Sequence, residues 1–142
     1  MSRGDMESRV RERIASWNRH DVAGFVRYYS DDATVYDPMY PEPLRGAAAV
    51  GRDFQEFITA FPDTEFMLGA VVDGGDTVAF EVTARGTHTG PLAGPDGVIA
   101  PTGRSIVMPI GSFDRLDDER RVTEERRYYD VAGLLQQLGI TG

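Results

Sequence analysis

Apolar residues recur at helical spacing in the first sixty positions of the chain. Positions that share one face at the 3.6-residue period predict a helix over residues 5–19, a second over 22–29 and a third over 46–61. Asp21 immediately precedes the second stretch and is a suitable N-cap for it. The first apolar stripe consists of Met6, Val10, Ile14 and Trp17.

The pattern changes to a period of two from residue 64 onward. Alternation predicts strands over 64–72, 77–88, 104–116 and 121–129, in addition to a short strand over 33–37. In the clearest of them Val78, Phe80, Val82 and Ala84 share one face, and the same parity leads to His88 at the far end. A Gly- and Pro-rich loop over 89–103 is long enough to suggest a functional role, and leucines near the end predict a short final helix.

Helices followed by consecutive strands predict an α+β fold. We expect a single domain over residues 1–142, in which a curved antiparallel or mixed sheet wraps around three N-terminal helices. Such a sheet forms a cone that is filled at its deep end and open at its mouth. The strand that carries His88 is then one wall of an internal pocket.

Composition narrows the chemistry. The net charge of −8 argues against a nucleic-acid partner, which needs a basic surface. Without cysteine, and with only two histidines, the chain offers neither a thiolate nor an all-histidine metal site, so we expect no metal and no cofactor. All 15 basic residues are arginines, which rules out a lysine Schiff base. No apolar run is long enough to span a membrane, and we expect a cytoplasmic protein.

An ordered set of short motifs resembles the SnoaL-like polyketide cyclase (ester cyclase) family of the nuclear transport factor 2-like superfamily. The set extends over nearly the whole chain and comprises Trp17-Asn18-Arg19-His20-Asp21, Tyr36-Asp37-Pro38, Leu44-Arg45-Gly46, Phe61-Pro62-Asp63, Gly86-Thr87-His88-Thr89-Gly90, Pro101-Thr102-Gly103-Arg104, Tyr129-Asp130 and Gln137-Leu138-Gly139. The resemblance implies the cone-shaped α+β fold and a homodimer. It also implies ring closure of a polyketide ester by intramolecular aldol condensation, with an acidic residue as the base.

The last strand departs from the family's Glu-His-Trp-Asp pattern. The histidine and the first aspartate of that pattern are replaced by Glu125 and Arg127, and Asp130 is the acid that remains at the strand end. We expect Asp130 or Asp37 to act as the base, with His88 and Tyr128 as groups that hold a substrate oxygen. Three of these residues have a structural alternative: Asp130 as the cap of the final helix, Asp37 as a turn former before proline, and His88 as a turn-stabilising side chain.

A set of large side chains is expected to line the pocket for a small, apolar organic ligand. Arg104 is expected to orient an anionic group of that ligand or, alternatively, to pair with an acid. The expected substrate-binding residues are Trp17, Tyr29, Tyr36, Phe54, Phe57, Phe61, Phe80, Met108 and Arg104.

The other face of the sheet is expected to form the dimer interface. Alternation assigns to it a row of polar side chains that can form cross-strand ion pairs. These residues are Glu81, Thr83, Arg85, Glu125, Arg127 and Tyr129, and the alternative is a solvated surface.

Three functions remain open on the sequence. The first is cofactor-free acid–base chemistry on an apolar carbonyl compound, and the second is a protein that binds an apolar ligand without converting it. The third is an epoxide hydrolase or isomerase, for which Arg104 and two aspartates would supply an Asp-Arg-Asp set around a water molecule.

Overall fold

The computed structural model describes residues 3–94 and 96–140. Within these residues, two helices are followed by a pair of strands, a third helix, a run of six strands and a final helix. The helices are α1 (Arg3–Asn18), α2 (Val22–Val26), α3 (Ala47–Ala60) and α4 (Val131–Gln137). The strands are β1 (Tyr29–Tyr36), β2 (Leu44–Arg45), β3 (Glu65–Asp73), β4 (Thr77–Thr87), β5 (Leu92–Gly94), β6 (Gly97–Ile99), β7 (Ser105–Leu116) and β8 (Val122–Tyr128).

Six of these strands form one mixed sheet in the order β2-β1-β8-β7-β4-β3. Only β1 and β8 pair in parallel among the described residues, and the other neighbours are antiparallel. Helices α1 and α3 pack against the inner face of this sheet, and α2 packs on α1 and α3. The predicted α+β architecture is therefore confirmed.

A bulge at Thr123 decides which side chains of β8 face inward. Leu116 pairs with Val122 and Arg115 pairs with Glu124, so Thr123 is an extra residue between two ladder pairs. One extra residue reverses the alternation of every position that follows it. Val122 is buried on the inner face, and beyond the bulge the inward positions become Glu125, Arg127 and Tyr129.

The inner face holds a stacked aromatic core. Trp17 of α1 lies between Phe54 of α3 and Phe66 of β3, with both ring centroids 4.0 Å from its own. Phe25 meets the Trp17 ring at its edge, at 5.4 Å. This arrangement ties α1, α2 and α3 to the sheet and fixes one end of the space between them.

Two predictions about local structure are corrected. Helix α2 ends at Val26 rather than at residue 29, because Tyr29 already pairs with Val122 as the first residue of β1. The loop over 89–103 contains a hairpin, β5 paired with β6, whose Leu92 is buried. The Asp21 N-cap is confirmed, since its carboxylate accepts a hydrogen bond from the amide of Gly24 at 2.9 Å.

Within residues 3–94 and 96–140, no helix combines the length and the apolar character that crossing a bilayer would require.

Candidate active site

A pocket opens between the helices and the inner face of the sheet. The empty space within its walls is about 900 Å³, a figure that includes space open to solvent. Most of its wall is apolar or aromatic, with contributions from α1, α3, β4, β7 and the β5–β6 hairpin. The apolar and aromatic lining comprises Ile14, Trp17, Phe25, Tyr29, Met39, Tyr40, Phe57, Phe66, Phe80, Val82, Leu92, Ala93, Met108, Ile110, Tyr129 and Leu134.

The polar side of the pocket is centred on Arg127 of β8. Its Nη1 donates to Asp37 Oδ2 at 3.0 Å and to Asp53 Oδ2 at 2.9 Å, while its Nε donates to Glu125 Oε1 at 2.9 Å. Only Nε and Nη1 have such partners among the described residues, which leaves Nη2 for a ligand. We call Arg127, Asp37, Asp53 and Glu125 the Arg127 cluster.

Two tyrosines complete the polar side. Tyr129 donates its hydroxyl to Asp37 Oδ1, and Tyr40 donates its hydroxyl to Asp53 Oδ1 at 2.7 Å. Burial raises the pKa of both phenols, and the neighbouring carboxylates Asp37 and Asp53 raise it further. Both hydroxyls therefore remain protonated hydrogen-bond donors across the physiological range.

Arg13 and Asp114 form a second charged group at the inner end of the pocket, and Glu125 joins this group to the Arg127 cluster. Glu125 accepts the Tyr29 hydroxyl with both oxygens, at 2.9 and 3.0 Å, and lies 3.5 Å from Arg13 Nη1. Arg13 also donates to Asp114 Oδ2 at 2.6 Å, and both side chains are almost fully buried. Glu125 thus connects two buried guanidinium groups.

Electrostatics move the pKa values of the two buried carboxyls in opposite directions. Burial and the adjacent Glu125 raise the pKa of Asp114 well above 3.8. Burial also opposes ionisation of Glu125, but Arg127 and Arg13 outweigh that effect and lower its pKa to about 2. Asp114 and Glu125 face each other across β7 and β8, so ionisation of one opposes ionisation of the other.

Arg127 itself stays charged. Burial alone would lower its pKa, but Glu125, Asp53 and Asp37 more than compensate and raise it well above the ordinary value for arginine. A permanent cation enclosed by carboxylates is rigid, and it can stabilise negative charge that develops on a ligand oxygen.

Two expected catalytic residues lie outside the pocket. Asp130 is exposed and caps α4, since its Oδ1 accepts a hydrogen bond from the Gly133 amide at 2.8 Å. Tyr128 is 57% exposed on the outer face. Both were assigned to the pocket by uninterrupted alternation on β8, and the bulge at Thr123 makes that assignment wrong.

His88 is buried in the turn rather than placed at the pocket rim. Its Nδ1 accepts a hydrogen bond from the Thr102 amide at 3.2 Å and lies 3.0 Å from the Thr102 hydroxyl, and its ring packs against Phe61. Burial lowers its pKa, an effect that the Gly90 carbonyl partly opposes. His88 is therefore a buried residue that joins the two ends of the 89–103 segment. This position corrects the expectation that His88 is a catalytic residue at the pocket rim.

The expected substrate-binding residues divide into two groups. Trp17, Tyr29, Phe57, Phe80 and Met108 line the pocket, as does the expected acid Asp37. The other four do not line it. Phe54 and Phe61 are buried in the core, Tyr36 lies on the outer face beneath Arg126, and Arg104 is exposed and packs over Gly139.

Sequence reasoning missed the centre of the site. Glu125, Arg127 and Tyr129 were assigned to the outer face, which the structure corrects because they lie beyond the bulge. Asp53 was not considered, although it shares the helical face of Val50, Phe54 and Phe57. A carboxylate on the apolar side of a helix is a signal that could have identified it.

In the part of the chain that the structure describes, no group of three or more metal-ligating side chains has the geometry to hold an ion. The pocket offers acids, phenols and guanidinium groups, whose chemistry is proton transfer and hydrogen bonding.

A family profile described as "SnoaL-like polyketide cyclase" matches residues 8–138. The chain belongs to the SnoaL-like polyketide cyclase family. The family resemblance found in the sequence is therefore confirmed. In this SnoaL-like chain, Arg127 of β8 contacts Asp37 and Asp53, which come from two other parts of the fold.

Solved structures with the same fold come from several Streptomyces species. IdmH from Streptomyces antibioticus, named as a candidate polyketide cyclase, is 25% identical with a TM-score of 0.74, and the match covers 94% of this chain and 98% of that one. AclR from Streptomyces galilaeus, named as a candidate hydroxylase, is 25% identical with a TM-score of 0.80 over 97% and 83% of the two chains. TsrD from Streptomyces laurentii is 19% identical with a TM-score of 0.83 over 98% of each chain.

Proposed function

We propose that this SnoaL-like protein is an enzyme that performs cofactor-free acid–base chemistry on a small, apolar carbonyl compound, as in an intramolecular aldol cyclisation. The observation that carries the proposal is the Arg127 cluster at the polar side of an aromatic pocket. Carboxylates supply a base, and the guanidinium supplies a positive charge where an enolate oxygen would form.

Asp53 is the proposed base. Its carboxylate accepts two hydrogen bonds, from Tyr40 and Arg127, whereas Asp37 accepts three, from Tyr129, Arg127 and the Met39 amide. Fewer engaged lone pairs leave Asp53 freer to accept a proton. Asp37 then serves mainly to orient Arg127 and Tyr129.

The proposed reaction begins with a ketone or ester oxygen on Arg127 Nη2. Asp53 accepts a proton from the adjacent carbon, and the electron pair of that C–H bond moves onto the carbonyl oxygen to give the enolate. The enolate carbon attacks a second carbonyl of the same molecule, and a new C–C bond closes the ring. The resulting alkoxide recovers the proton from Asp53, so atoms and charge balance.

The first half of this reaction can be tested without the cognate substrate. The probe is 1-tetralone in D₂O, whose exchange of the protons next to the carbonyl is followed by NMR. We expect the protein to accelerate exchange above the buffer rate. Asp53→Asn should reduce the accelerated rate at least about tenfold, a threshold set below the roughly 10²–10⁴-fold contribution of a general base. Asp37→Asn should reduce it less.

A matched control is Asp31→Asn, which removes a carboxylate from an exposed position of β1. Its exchange rate should equal that of the wild type. Equal rates in both pocket variants would refute the assignment of the base. Binding of 1-tetralone without accelerated exchange would favour the alternative of a non-catalytic protein that holds an apolar ligand.

A second candidate, opening of an epoxide, is favoured by one specific observation. Asp37 and Asp53 share the same nitrogen of Arg127, which is an Asp-Arg-Asp set with Arg127 in the place expected for Arg104. In this reaction one carboxylate takes a proton from water, the water oxygen bonds to an epoxide carbon as its C–O bond breaks, and the alkoxide takes a proton from the other acid.

Indene oxide in ¹⁸O-labelled water distinguishes this candidate. We expect a diol with one labelled oxygen, formed faster with the wild type than with either Asp37→Asn or Asp53→Asn. Catalysed exchange of 1-tetralone without diol formation would leave the carbonyl reaction as the function.

We also propose that two copies associate through the outer face of the sheet. That face exposes Phe113, Tyr128, Val107 and Met67, and the rings of Phe113 and Tyr128 meet edge to face at 6.2 Å. Glu124 lies between Arg115 and Arg126 on the same face. The face thus carries both positive and negative side chains, which could pair across a symmetric interface.

A further inference from the structure

Acidic side chains outnumber basic ones in the wall of the pocket. Within the described residues, the lining contains Asp37, Asp53, Glu56 and Glu125 but only two cations, Arg13 and Arg127. Arg104, the residue expected to bind an anionic group, is exposed and lies outside this lining. The pocket therefore has a formal excess of negative charge.

Both cations are already neutralised by protein carboxylates. Arg127 contacts Asp37, Asp53 and Glu125 at 2.9–3.0 Å. Arg13 contacts Asp114 at 2.6 Å and approaches Glu125 at 3.5 Å. A carboxylate that entered the pocket would lose its hydration and find no cation free of acidic partners.

The hydroxyl donors of the wall are engaged in the same way. Tyr40 donates to Asp53, Tyr129 to Asp37 and Tyr29 to Glu125. Arg127 Nη2 remains available, but it suits a neutral carbonyl oxygen better than a full anion, because three carboxylates surround its guanidinium.

Glu56 extends the negative potential to the solvent-exposed part of the pocket lining. It is an exposed residue of α3, one turn beyond Asp53 and beside Phe57, and it has no hydrogen-bond or ion-pair partner among the described residues. The aromatic wall behind it is compatible with a cationic ligand, because the faces of aromatic rings attract positive charge.

We infer that the pocket selects ligands by charge, admitting neutral and protonated-amine compounds and excluding the corresponding carboxylates, with Glu56 as a specificity-determining residue. The inference rests on the proposed function in taking this pocket as the substrate site. It agrees with enolate chemistry, because a proton accepted by Asp53 removes one negative charge as the enolate gains one. A bound carboxylate has no such compensation.

Three naphthalene probes of the same size test the inference: 2-naphthylmethylamine, 2-naphthylmethanol and 2-naphthoate, titrated into the full chain by calorimetry at about pH 7. We expect the naphthoate to bind at least about tenfold more weakly than the alcohol, and the amine at least as tightly as the alcohol. In Glu56→Gln the ratio of amine to naphthoate affinity should fall at least about threefold. The ratio should also fall as salt is raised, because salt screens an exposed charge.

Glu65→Gln is the matched control, since it removes an exposed carboxylate from the outer face of β3 and should leave the ratio unchanged. Naphthoate binding as tight as that of the alcohol, an unchanged ratio in Glu56→Gln, or no binding of any probe would overturn the inference. These are equilibrium measurements without turnover. The binding measurements can therefore support charge selection even if the exchange assay identifies no base. They can also refute charge selection even if the exchange assay identifies Asp53 as the base.

Discussion

At the scale of single residues, the unusual feature is a facing pair of buried carboxyls whose pKa values move in opposite directions. Asp114 and Glu125 are 0% and 3% exposed and share Arg13. Glu125 also accepts a hydrogen bond from Arg127 Nε, so it links the Arg127 side chain to Arg13.

Replacing Asp114 should therefore change the pH dependence of stability. The pKa of Asp114 is raised above 3.8 in the folded state, so its contribution to stability is complete at low pH and is lost as pH rises through the folded pKa. Asparagine keeps the shape of the neutral acid and does not titrate. We expect Asp114→Asn to gain stability relative to the wild type as pH rises above 3.8, by up to about 1.4 kcal/mol per pH unit until the folded pKa is passed.

Urea unfolding at several pH values measures this difference, and Asp76→Asn in the exposed β3–β4 turn is a suitable control. A constant difference between Asp114→Asn and the wild type would show that Asp114 is ionised throughout. Glu125 behaves in the opposite way. With a pKa lowered to about 2, its contribution is present above about 4.5 and is lost as pH falls.

At the scale of elements, the end of β8 and the start of α4 perform separate tasks. The bulge at Thr123 turns Glu125, Arg127 and Tyr129 toward the pocket. Asp130, one residue after Tyr129, accepts the Gly133 amide and starts the helix. Asp130, after the end of β8, is thus a structural residue, while Arg127, the charged side chain at the centre of the site, lies three residues earlier.

Asp130→Ala should consequently reduce stability without changing the chemistry. Loss of the N-cap hydrogen bond is expected to cost about 1 kcal/mol, whereas Asp130→Asn should retain the cap. Thermal unfolding measures the first effect, and 1-tetralone exchange measures the second. A tenfold loss of exchange in Asp130→Asn, with normal stability, would return Asp130 to the active site.

At the scale of the whole molecule, the two faces of the sheet have different roles. The inner face encloses the pocket, and the outer face exposes an apolar row on β3, β7 and β8. Exposed aromatic side chains on a flat sheet are typical of contact surfaces. The proposed dimer would cover them and leave the pocket mouth, on the opposite side, accessible.

Phe113→Glu should prevent this association, because two copies related by symmetry would bring new carboxylates together. Light scattering after size-exclusion chromatography is expected to give the mass of a dimer for the wild type and of a monomer for the variant. Val98→Glu introduces the same charge at an exposed apolar position of the β5–β6 hairpin and should remain dimeric. A monomeric wild type at high concentration would contradict the proposal.

Much of the fold could be predicted from the sequence because it depends on local periodicity. The apolar stripe of α1, the alternation of β4 and the N-cap at Asp21 each specify their element without reference to distant residues. Trp17, Phe57 and Phe80, expected to line the pocket as large aromatic side chains, do line it, as does Asp37, expected there as an acid at the end of a short strand.

The centre of the site was decided by tertiary structure alone. The parity of β8 depends on the bulge at Thr123, which arises from pairing with β7 and has no signature in the alternation of the strand itself. Asp53 meets Arg127 only because α3 packs on β1, the neighbour of β8, which brings together residues 74 positions apart. Periodicity can state which side of an element a residue faces, but the packing of separate elements determines which charges share a pocket.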